Sequence, residues 1–599
     1  MNTYTYSADL EEFRFLLENI VQVNVLCHAP AFQNYSLEGF LETIEEAVSF
    51  AKEELSLTNR LGDEIGVLFR DGVVVTPAAF REAWEKIVEQ KWVGLTAKQK
   101  YQGRQLPESV AVAIREVMAA SNGALNNLAQ QTNEISNLIE TFGNEQQKEL
   151  YCSKLAQGQW TATLSITEPQ VEGELLTIRA TAKVKGDYSL ISGTKIMVAG
   201  GDHDLSENIL HLVVAKIKDA VEDEAGFGLF LVPKYRLEAG NLVDNNLSTD
   251  NLHSTPGNRA LPYCDISYGK EGECQGTLLM ELDKTKPESV LFQQGLQQQS
   301  AVQSMALAAA AHNTVLQAQS NKVLSLDDAM TRDGVFSMQA LVEGLRGLIY
   351  SSAFYLDCKQ LAEGAQKETF TDLTELQIRI LKVYASQKGL QVVREAMQLL
   401  GELAYSDEYP VEQYYRELLA GSLFGGTNKS NAQELLTQTL AKDEGRLFQT
   451  LLEQFQQQDM TSAKTDSLHD AVGIWRDFLG GAIVLFGELK GEEDAEQSNH
   501  AKFLLHADRI LNLLGDLLLG FQLIVQALAA EKELKKQEVN FFNLQQDALN
   551  NPALRKWYNK ILLAEYFAVN ILSQQEGQIQ IILRNSTLAM DALYEGEQL

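Results

Sequence analysis

The chain has 599 residues, and this length predicts about two to four domains because a single hydrophobic core does not extend over so long a chain. Its composition, 45% hydrophobic and 22% charged, is typical of an ordinary globular protein. Asp and Glu number 81 against 50 for Lys and Arg, which gives a formal net charge of -31. This charge argues against general binding to nucleic acid or anionic membranes through long-range attraction. Any phosphate-bearing ligand must be held by local donors.

The cysteines, histidines and apolar segments favour neither a disulfide framework nor a metal site nor a membrane span. The five cysteines are scattered without a C-x-x-C pair, which favours reduced thiols and a cytoplasmic location. The eight histidines are dispersed, and even His500 and His506 lack metal-ligand spacing, so no metal site is predicted. The most apolar stretch, Ile510 to Leu528, contains Asn512 and Asp516. It is predicted as a buried bundle helix, and no transmembrane segment is expected.

Helical periodicity dominates from residue 8 to about 160. Apolar residues from Leu10 to Val21 recur at three- and four-residue spacing, which places them on one helix face. Further helical patterns run from Leu37 to Leu57, from Pro77 to Lys91 and from Glu108 to Gly158. The sequence therefore predicts an N-terminal helical domain over residues 1–160.

Strand chemistry follows. Short β-branched segments bounded by Gly or Asp predict strands at Tyr188–Val198, Ile209–Ala215, Gly226–Pro233 and Ala260–Tyr268. These segments predict a middle β domain over residues 161–285.

Helical patterns return after residue 286, at Val302–Val315, Ser337–Leu361, Asp372–Gly401 and Glu412–Leu419. They predict a helical bundle over 286–455, a polar linker over 456–467 and a C-terminal helical domain over 468–599. The predicted fold class is therefore mainly α with a central β domain, an α+β protein.

Two neighbouring motifs carry the most specific pattern in the chain. They are Tyr409-Pro410-Val411-Glu412-Gln413-Tyr414-Tyr415-Arg416 and Leu423-Phe424-Gly425-Gly426-Thr427-Asn428. They resemble YPVE-x-x-YRD and IYEGTN, the substrate-site motifs of the acyl-CoA dehydrogenase family. Where that family has the glutamate that removes the substrate's α-proton, this chain has Gly425, and the residues after it fix the register.

Other segments extend the resemblance over residues 10 to 430 and point to a long branch of the family. They are Asn59 to Glu64, Asp71 to Pro77, Phe142 to Lys148, Lys154 to Thr161, Gly193 to Ile196 and His203 to Leu205. The resemblance implies a helical bundle, a β-barrel or sandwich, a second helical bundle and an extra C-terminal helical domain. It also implies a homodimer or a higher homo-oligomer.

The resemblance further implies α,β-dehydrogenation of an acyl-CoA thioester, with FAD as hydride acceptor and a separate electron-transfer acceptor. The positions that match the family's cofactor contacts are Thr167, Glu168, Lys195, Ile196, Gln398, Gly401, Thr427 and Asn428. The positions that match its substrate contacts are Gly173, Tyr415, Arg416, Phe424 and Gly426.

Several ligand-facing positions depart from the family's pattern. The loop after Thr167-Glu168-Pro169 carries Glu172, which adds bulk and negative charge beside an anionic ligand. Glu402 and Ala404 replace glycines that let the flavin nucleotide approach, and Gln297 replaces an arginine. The loop 319–322 lacks the arginine that grips the flavin pyrophosphate in most members.

These departures leave two classes of function open. Removal of a proton next to a thioester requires a desolvated carboxylate aimed at the α-carbon, which Gly425 cannot supply. No acid lies in 295–299, where some relatives carry the base, and Glu412 and Glu417 are the nearby substitutes. The first class is an acyl-CoA dehydrogenase with weak or atypical catalysis. The second is an inactive member that binds an acyl-CoA or a protein partner as a regulatory or scaffolding subunit.

Overall fold

The N-terminal part of the protein is helical. The structure is a computed structural model and describes residues 6–169, 178–218, 226–282, 292–440, 445–492 and 504–584. The first helices are α1 Leu10–Phe15, α2 Leu37–Phe50, α3 Ser56–Ile65, α4 Ala78–Glu89, α5 Glu108–Ser121, α6 Gly123–Phe142, α7 Glu145–Gln147 and α8 Ser153–Ala156. A hairpin of β1 Leu68–Arg70 and β2 Val73–Val75 lies between α3 and α4.

The middle part forms a mixed sheet that closes on itself. Its strands are β3 Trp160–Ser165, β4 Thr181–Lys185, β5 Tyr188–Ala199, β6 Asn208–Lys218, β7 Phe227–Pro233, β10 Leu247–Leu252, β11 Tyr263–Tyr268 and β12 Cys274–Leu282, and a separate hairpin holds β8 Tyr235–Glu238 and β9 Asn241–Asp244. The sheet order is β10-β11-β5-β12-β7-β6-β3. Because β4 pairs with both β5 and β6, it closes β5, β12, β7 and β6 into a ring, which leaves fewer open edges.

Long helices make up the rest of the described chain. They are α9 Phe292–Ser320, α10 Ala329–Leu361, α11 Gly364–Leu400, α12 Val411–Leu423, α13 Asn428–Glu434, α14 Arg446–Gln457, α15 Asp466–Glu492, α16 Ala507–Lys536, α17 Leu544–Asn550, α18 Pro552–Phe567 and α19 Ser573–Arg584. α9, α10 and α11 pack against one another. Buried alanines on α9, including Ala306, Ala308 and Ala311, allow this close helix packing.

The predicted α+β fold is confirmed, with differences at the element boundaries. The predicted helix Leu37–Leu57 is divided into α2 and α3 by a π turn over Ala51–Leu55. The helix predicted at Val302–Val315 is longer in α9, because its flanking glutamines are good helix formers despite their polarity. The strand predicted from Ala260 begins only at Tyr263, because the Leu261 N–H closes a turn on the Asn258 carbonyl at 2.8 Å. The domain boundaries stay predictions.

One hydrophobic core runs through the helical parts. It joins N-terminal residues such as Phe15 and Trp84 with residues of α9 to α11 and with C-terminal residues such as Leu514 and Phe567. α16 is long and apolar enough to cross a membrane, but 94% of its most apolar window is buried inside the protein. The predicted linker 456–467 is shorter in the structure. Only residues 458–465 lie between the two helices, because α14 ends at Gln457 and α15 begins at Asp466.

Candidate functional site

The Gly425-Gly426 loop, where the sequence predicts that the base is missing, lies between α12 and α13. Both glycines have positive φ angles, +67° and +82°, a conformation that residues with side chains rarely adopt. Asn431 Nδ2 donates to the Gly425 carbonyl at 3.1 Å, and the Thr427 hydroxyl caps α13 by accepting from Ser430 N at 3.1 Å. Among the described residues beyond its chain neighbours, no heavy atom lies within 4 Å of a Cβ built on Gly425. These hydrogen bonds therefore hold the conformation of the loop, and the space that a side chain at position 425 would enter is open.

Lys382 on α11 forms a hydrogen bond to this loop. Its Nζ donates to the Gly426 carbonyl at 2.6 Å, and its side chain is only 1% exposed. Burial lowers the pKa of the Lys382 ammonium to about 8, and the charge of Glu434 opposes this shift only in part. One turn further along α11, the Ser386 hydroxyl accepts from Asn428 Nδ2 at 3.0 Å.

The aromatic residue before the glycines is fixed by the β domain. The Phe424 ring stacks on Tyr263 of β11 with centroids 5.2 Å apart, and Phe424 stays 39% exposed. Tyr263 is buried, and this burial raises the pKa of its hydroxyl well above the ordinary value. Tyr415 is partly buried and packs against the core. The predicted substrate contacts of Phe424, Gly426 and Tyr415 stay predictions.

Arg416 is bound by protein acceptors on several sides. Its Nη1 and Nη2 donate to the two Asp63 oxygens at 2.9 and 2.6 Å, and its Nε donates to Glu412 Oε2 at 2.8 Å. Nη1 also donates to the Pro256 carbonyl at 2.7 Å. The hydrogen bonds to Asp63 raise the pKa of the guanidinium above its ordinary value. Arg416 and Glu412 thus brace α12 against α3, while the substrate contact predicted for Arg416 and the base role of Glu412 stay predictions.

Glu417 is a buried acid in this region, and one of its carboxyl oxygens has no hydrogen-bond partner. Its side chain is buried, its Oε1 accepts from Gln413 Nε2 at 2.7 Å, and its Oε2 has no hydrogen-bond partner. Burial raises the pKa of this carboxyl to about 7. A carboxyl with this pKa can exchange a proton near neutral pH. Its role as a substitute base stays a prediction.

Four of the residues predicted to contact FAD, Thr167, Glu168, Lys195 and Ile196, form one hydrogen-bonded frame, in which Glu168 and Lys195 are buried and Thr167 is exposed. Lys195 Nζ on β5 donates to Glu168 Oε1 and to the Ile166 carbonyl, both at 2.8 Å, and Ile196 N donates to the Thr167 carbonyl at 2.8 Å. Burial lowers the pKa of Lys195 to about 8. For Glu168, burial would raise the pKa, but Lys195 and two backbone N–H groups outweigh it and lower the pKa. Gly173 lies outside the described residues.

The second group of predicted cofactor contacts lies at the end of α11. Gln398 is exposed, and Gly401 has a φ of +61° with open space around a Cβ position. Glu402 is exposed and Ala404 is buried beside it. The Lys195 ammonium is already neutralised by Glu168. Lys195 is therefore not a free donor for a flavin pyrophosphate, which requires free cationic or N–H donors.

Some residues of this region were not found by sequence reasoning. Lys382 could have been noticed as a cation between the apolar residues Leu381 and Val383, a pattern that marks a buried lysine. Tyr263 contributes through a tertiary contact that leaves no local pattern. Asp63 lies in the Asn59 to Glu64 motif, but its pairing with Arg416 depends on tertiary packing. Of the described residues, none form a group of three or more His, Cys, Asp and Glu side chains that could hold a metal ion.

Three family models match the chain. The acyl-CoA dehydrogenase N-terminal domain matches residues 63–159, and the acyl-CoA dehydrogenase C-terminal domain matches 297–439. A third model, the acetyl-CoA dehydrogenase C-terminal-like domain, matches 484–592. These matches lie in the predicted N-terminal helical domain, in the predicted helical bundle over 286–455 and in the extra C-terminal helical domain. The chain belongs to the acyl-CoA dehydrogenase family.

Individual relatives and solved structures agree with this assignment. The chain is 26% identical over 553 residues to 3-methylmercaptopropionyl-CoA dehydrogenase of Ruegeria pomeroyi, covering 89% of this chain and 92% of that protein. It is 24% identical to a butyryl-CoA dehydrogenase of Syntrophomonas wolfei, covering 98% of each.

The predicted long branch is confirmed by these matches, and the fold by two structures. The structure of Caenorhabditis elegans ACDH-11 in complex with C11-CoA gives a TM-score of 0.73 at 15% identity, covering 94% of this chain and 96% of that one. That of a Bacillus anthracis acyl-CoA dehydrogenase complexed with FAD gives 0.71 at 16% identity, covering 95% and 91%.

Proposed function

We propose that this family member binds an acyl-CoA thioester and is impaired in α,β-dehydrogenation. The observation that carries the proposal is Gly425, which stands where the family has its base and has no carboxylate within 4 Å of its Cβ position among the described residues. The α-proton of a thioester is only weakly acidic, so its removal depends on a carboxylate placed against it. The loop is held in place by Lys382 and Asn431, so its shape persists without the group that performs the reaction.

FAD is the cofactor of the family, and a solved relative from Bacillus anthracis is complexed with it. We propose that FAD occupancy is weak in this chain. The supporting observation is the frame around Lys195, whose cation is committed to Glu168 and the Ile166 carbonyl. If the cofactor is bound and reduced, an electron-transfer acceptor completes the cycle.

In a second candidate function, the protein catalyses dehydrogenation with a base at a position other than 425. Glu417 favours it, because this buried carboxyl has one unpartnered oxygen and a pKa of about 7. The alternative without catalysis is a regulatory or scaffolding subunit. It is favoured by the exposed Glu402, which replaces a glycine that lets the flavin nucleotide approach in the family.

In each case we propose a homodimer or higher homo-oligomer, as the resemblance implies. Free cysteines at all five positions support a reducing, cytoplasmic compartment.

The test is a visible absorption spectrum of the purified protein before and after addition of FAD, combined with calorimetric titration of butyryl-CoA. The proposal expects a protein that binds the thioester but shows little flavin absorbance and negligible reduction of added FAD. Full flavin occupancy with rapid bleaching by the thioester would contradict it. Absence of thioester binding would instead favour the scaffolding subunit.

A further inference from the structure

The two glycines of the Gly425-Gly426 loop have different surroundings. A Cβ built on Gly426 would lie 2.7 Å from Asn431 Nδ2 and 3.1 Å from Ser430 Oγ, so that side of the loop is filled. A Cβ built on Gly425 meets no heavy atom within 4 Å among the described residues beyond its chain neighbours. The volume that a side chain at position 425 would enter is therefore open, and we call it the Gly425 space.

Hydrogen bonds hold the backbone beside the Gly425 space. Asn431 Nδ2 donates to the carbonyl oxygen of Gly425 at 3.1 Å and to that of Thr427 at 2.9 Å. The buried Lys382 ammonium donates to the Gly426 carbonyl at 2.6 Å. Movement of the loop into the open volume would break these contacts and leave the buried Lys382 and Asn431 groups without their acceptors, which is costly. The space therefore persists without a side chain to fill it.

The loop around the Gly425 space is open to solvent. Phe424, Gly425 and Gly426 are all exposed. The Phe424 ring stays 39% exposed although it stacks on Tyr263 of β11, which holds it in place. The backbone at position 425 is therefore accessible to a ligand that binds against this loop.

The size of the Gly425 space is that of the side chain that is missing from it. In the family, the residue at this position is the glutamate that removes the α-proton, so its side chain lies against the α-carbon of the acyl group. Gly425 leaves the volume of that side chain, with its Cβ, Cγ and carboxyl group, to the ligand. A methyl group on the α-carbon is smaller than this volume. A thioester with two such groups has no α-proton, so its binding does not depend on the missing base.

We propose that the Gly425 space receives a substituent of the acyl group, and that the protein therefore binds acyl-CoA thioesters whose α-carbon carries no hydrogen. This inference rests on the proposed binding of an acyl-CoA thioester, and it names the class of acyl group. A site that is filled at position 425 rejects extra methyl groups on the α-carbon, because overpacking costs the equivalent of about fivefold or more in affinity. The open space at Gly425 removes this penalty.

The test compares 2,2-dimethylbutyryl-CoA with butyryl-CoA, which has the same straight chain without the two methyl groups, by calorimetric titration of the full chain. We expect the wild type to bind the dimethyl thioester more tightly than butyryl-CoA, or less tightly by no more than about fivefold. Gly425→Gln fills the space and should shift the ratio of the two dissociation constants by about fivefold or more in favour of butyryl-CoA. Gly364→Gln is the matched control, because Gly364 at the start of α11 also has a positive φ, +58°, and open space around its Cβ position. It should keep the wild-type ratio.

A wild type that binds butyryl-CoA but binds the dimethyl thioester more than about fivefold more weakly would overturn the inference alone. A smaller shift of the ratio in Gly425→Gln would overturn it as well. Failure of both thioesters to bind is a different outcome, because it contradicts the proposed binding of acyl-CoA and the inference with it. The backbone strain of a side chain at position 425 affects both thioesters equally, so the ratio reports on the filled space. A thermal unfolding curve of each variant verifies that the fold is kept.

Discussion

Lys560 Nζ donates to Glu12 Oε1 at 2.8 Å, across 548 residues of sequence. The same ammonium donates to Glu343 Oε2 at 2.9 Å and to Gln526 Oε1 at 3.0 Å. Glu12 lies on α1, Glu343 on α10 and Lys560 on α18. The extra C-terminal helices therefore share a buried charge cluster with the first helix and with the bundle, which makes them part of one structural body.

Replacement of Lys560 by methionine should strongly destabilise the protein. The change leaves the Glu12 and Glu343 carboxylates buried near each other without their shared cation, and such a loss costs about 3–5 kcal/mol. Denaturant unfolding followed by circular dichroism measures the effect. Lys532→Met, an exposed lysine on α16, is the matched control and should change the free energy of unfolding by less than about 0.5 kcal/mol. A similar, small effect of both changes would contradict an integral C-terminal domain.

Introduction of a carboxylate at Gly425 should restore proton chemistry in part. The space around a Cβ at this position is open, but the φ of +67° makes any side chain cost about 1–2 kcal/mol of strain. With a bound acyl-CoA in deuterated water, Gly425→Glu should raise the rate of α-proton exchange measured by mass spectrometry. Gly425→Gln carries the same strain without the carboxylate and should show no gain. If the glutamate variant binds the thioester but exchanges no faster than the glutamine variant, the site has lost more than its base.

Lys382 should control the mobility of the Gly425-Gly426 loop. Lys382→Met removes the hydrogen bond to the Gly426 carbonyl, a contact to a charged group that contributes about 1.5–3 kcal/mol. We expect faster amide hydrogen exchange in residues 424–428, measured by mass spectrometry of peptides. The rest of α11 should exchange as before, since methionine fills the buried space without a desolvated charge. Unchanged exchange in the loop would show that Asn431 and Thr427 hold it alone.

The sequence was informative for the scaffold of this region and less so for its contacts. The motif from Tyr409 to Asn428 located the loop that contains Gly425, because the motif and the loop are local in sequence. The pairing of Arg416 with Asp63 joins residues 353 apart in sequence, and the stacking of Phe424 on Tyr263 joins two domains. Such contacts depend on tertiary packing, and no periodicity or composition encodes them.

By contrast, the order of helices, sheet and helices followed from periodicity alone, because burial of one face is repeated in every turn or strand.

The stability of the protein should carry a pH dependence from Glu417. Its pKa is raised from the ordinary 4.5 to about 7, so between these values the folded protein holds a proton that the unfolded chain has released. The free energy of unfolding should therefore fall as the pH rises through this window, by up to about 3 kcal/mol from this group. The measurement is denaturant unfolding at both ends of the window for wild type and Glu417→Gln.

The Glu417→Gln variant should show a smaller fall, because glutamine does not titrate. Glu134 and Asp357, whose pKa values burial also raises to about 7, contribute equally to both proteins and cancel in the comparison. Glu402→Gln, an exposed position, should reproduce the wild-type pH dependence. Parallel curves for wild type and Glu417→Gln would mean that Glu417 is not buried as a neutral acid.

The most direct test of the central claim is α-proton exchange by the wild-type protein itself. Butyryl-CoA is incubated with the protein and added FAD in deuterated water, and deuterium at the α-carbon is followed by mass spectrometry. The absence of a base at Gly425 predicts a rate no higher than that of the thioester without protein, although the thioester binds. Rapid incorporation of deuterium by the wild type, at saturating protein and well above that background, would contradict the claim that this chain has lost its proton-removing group.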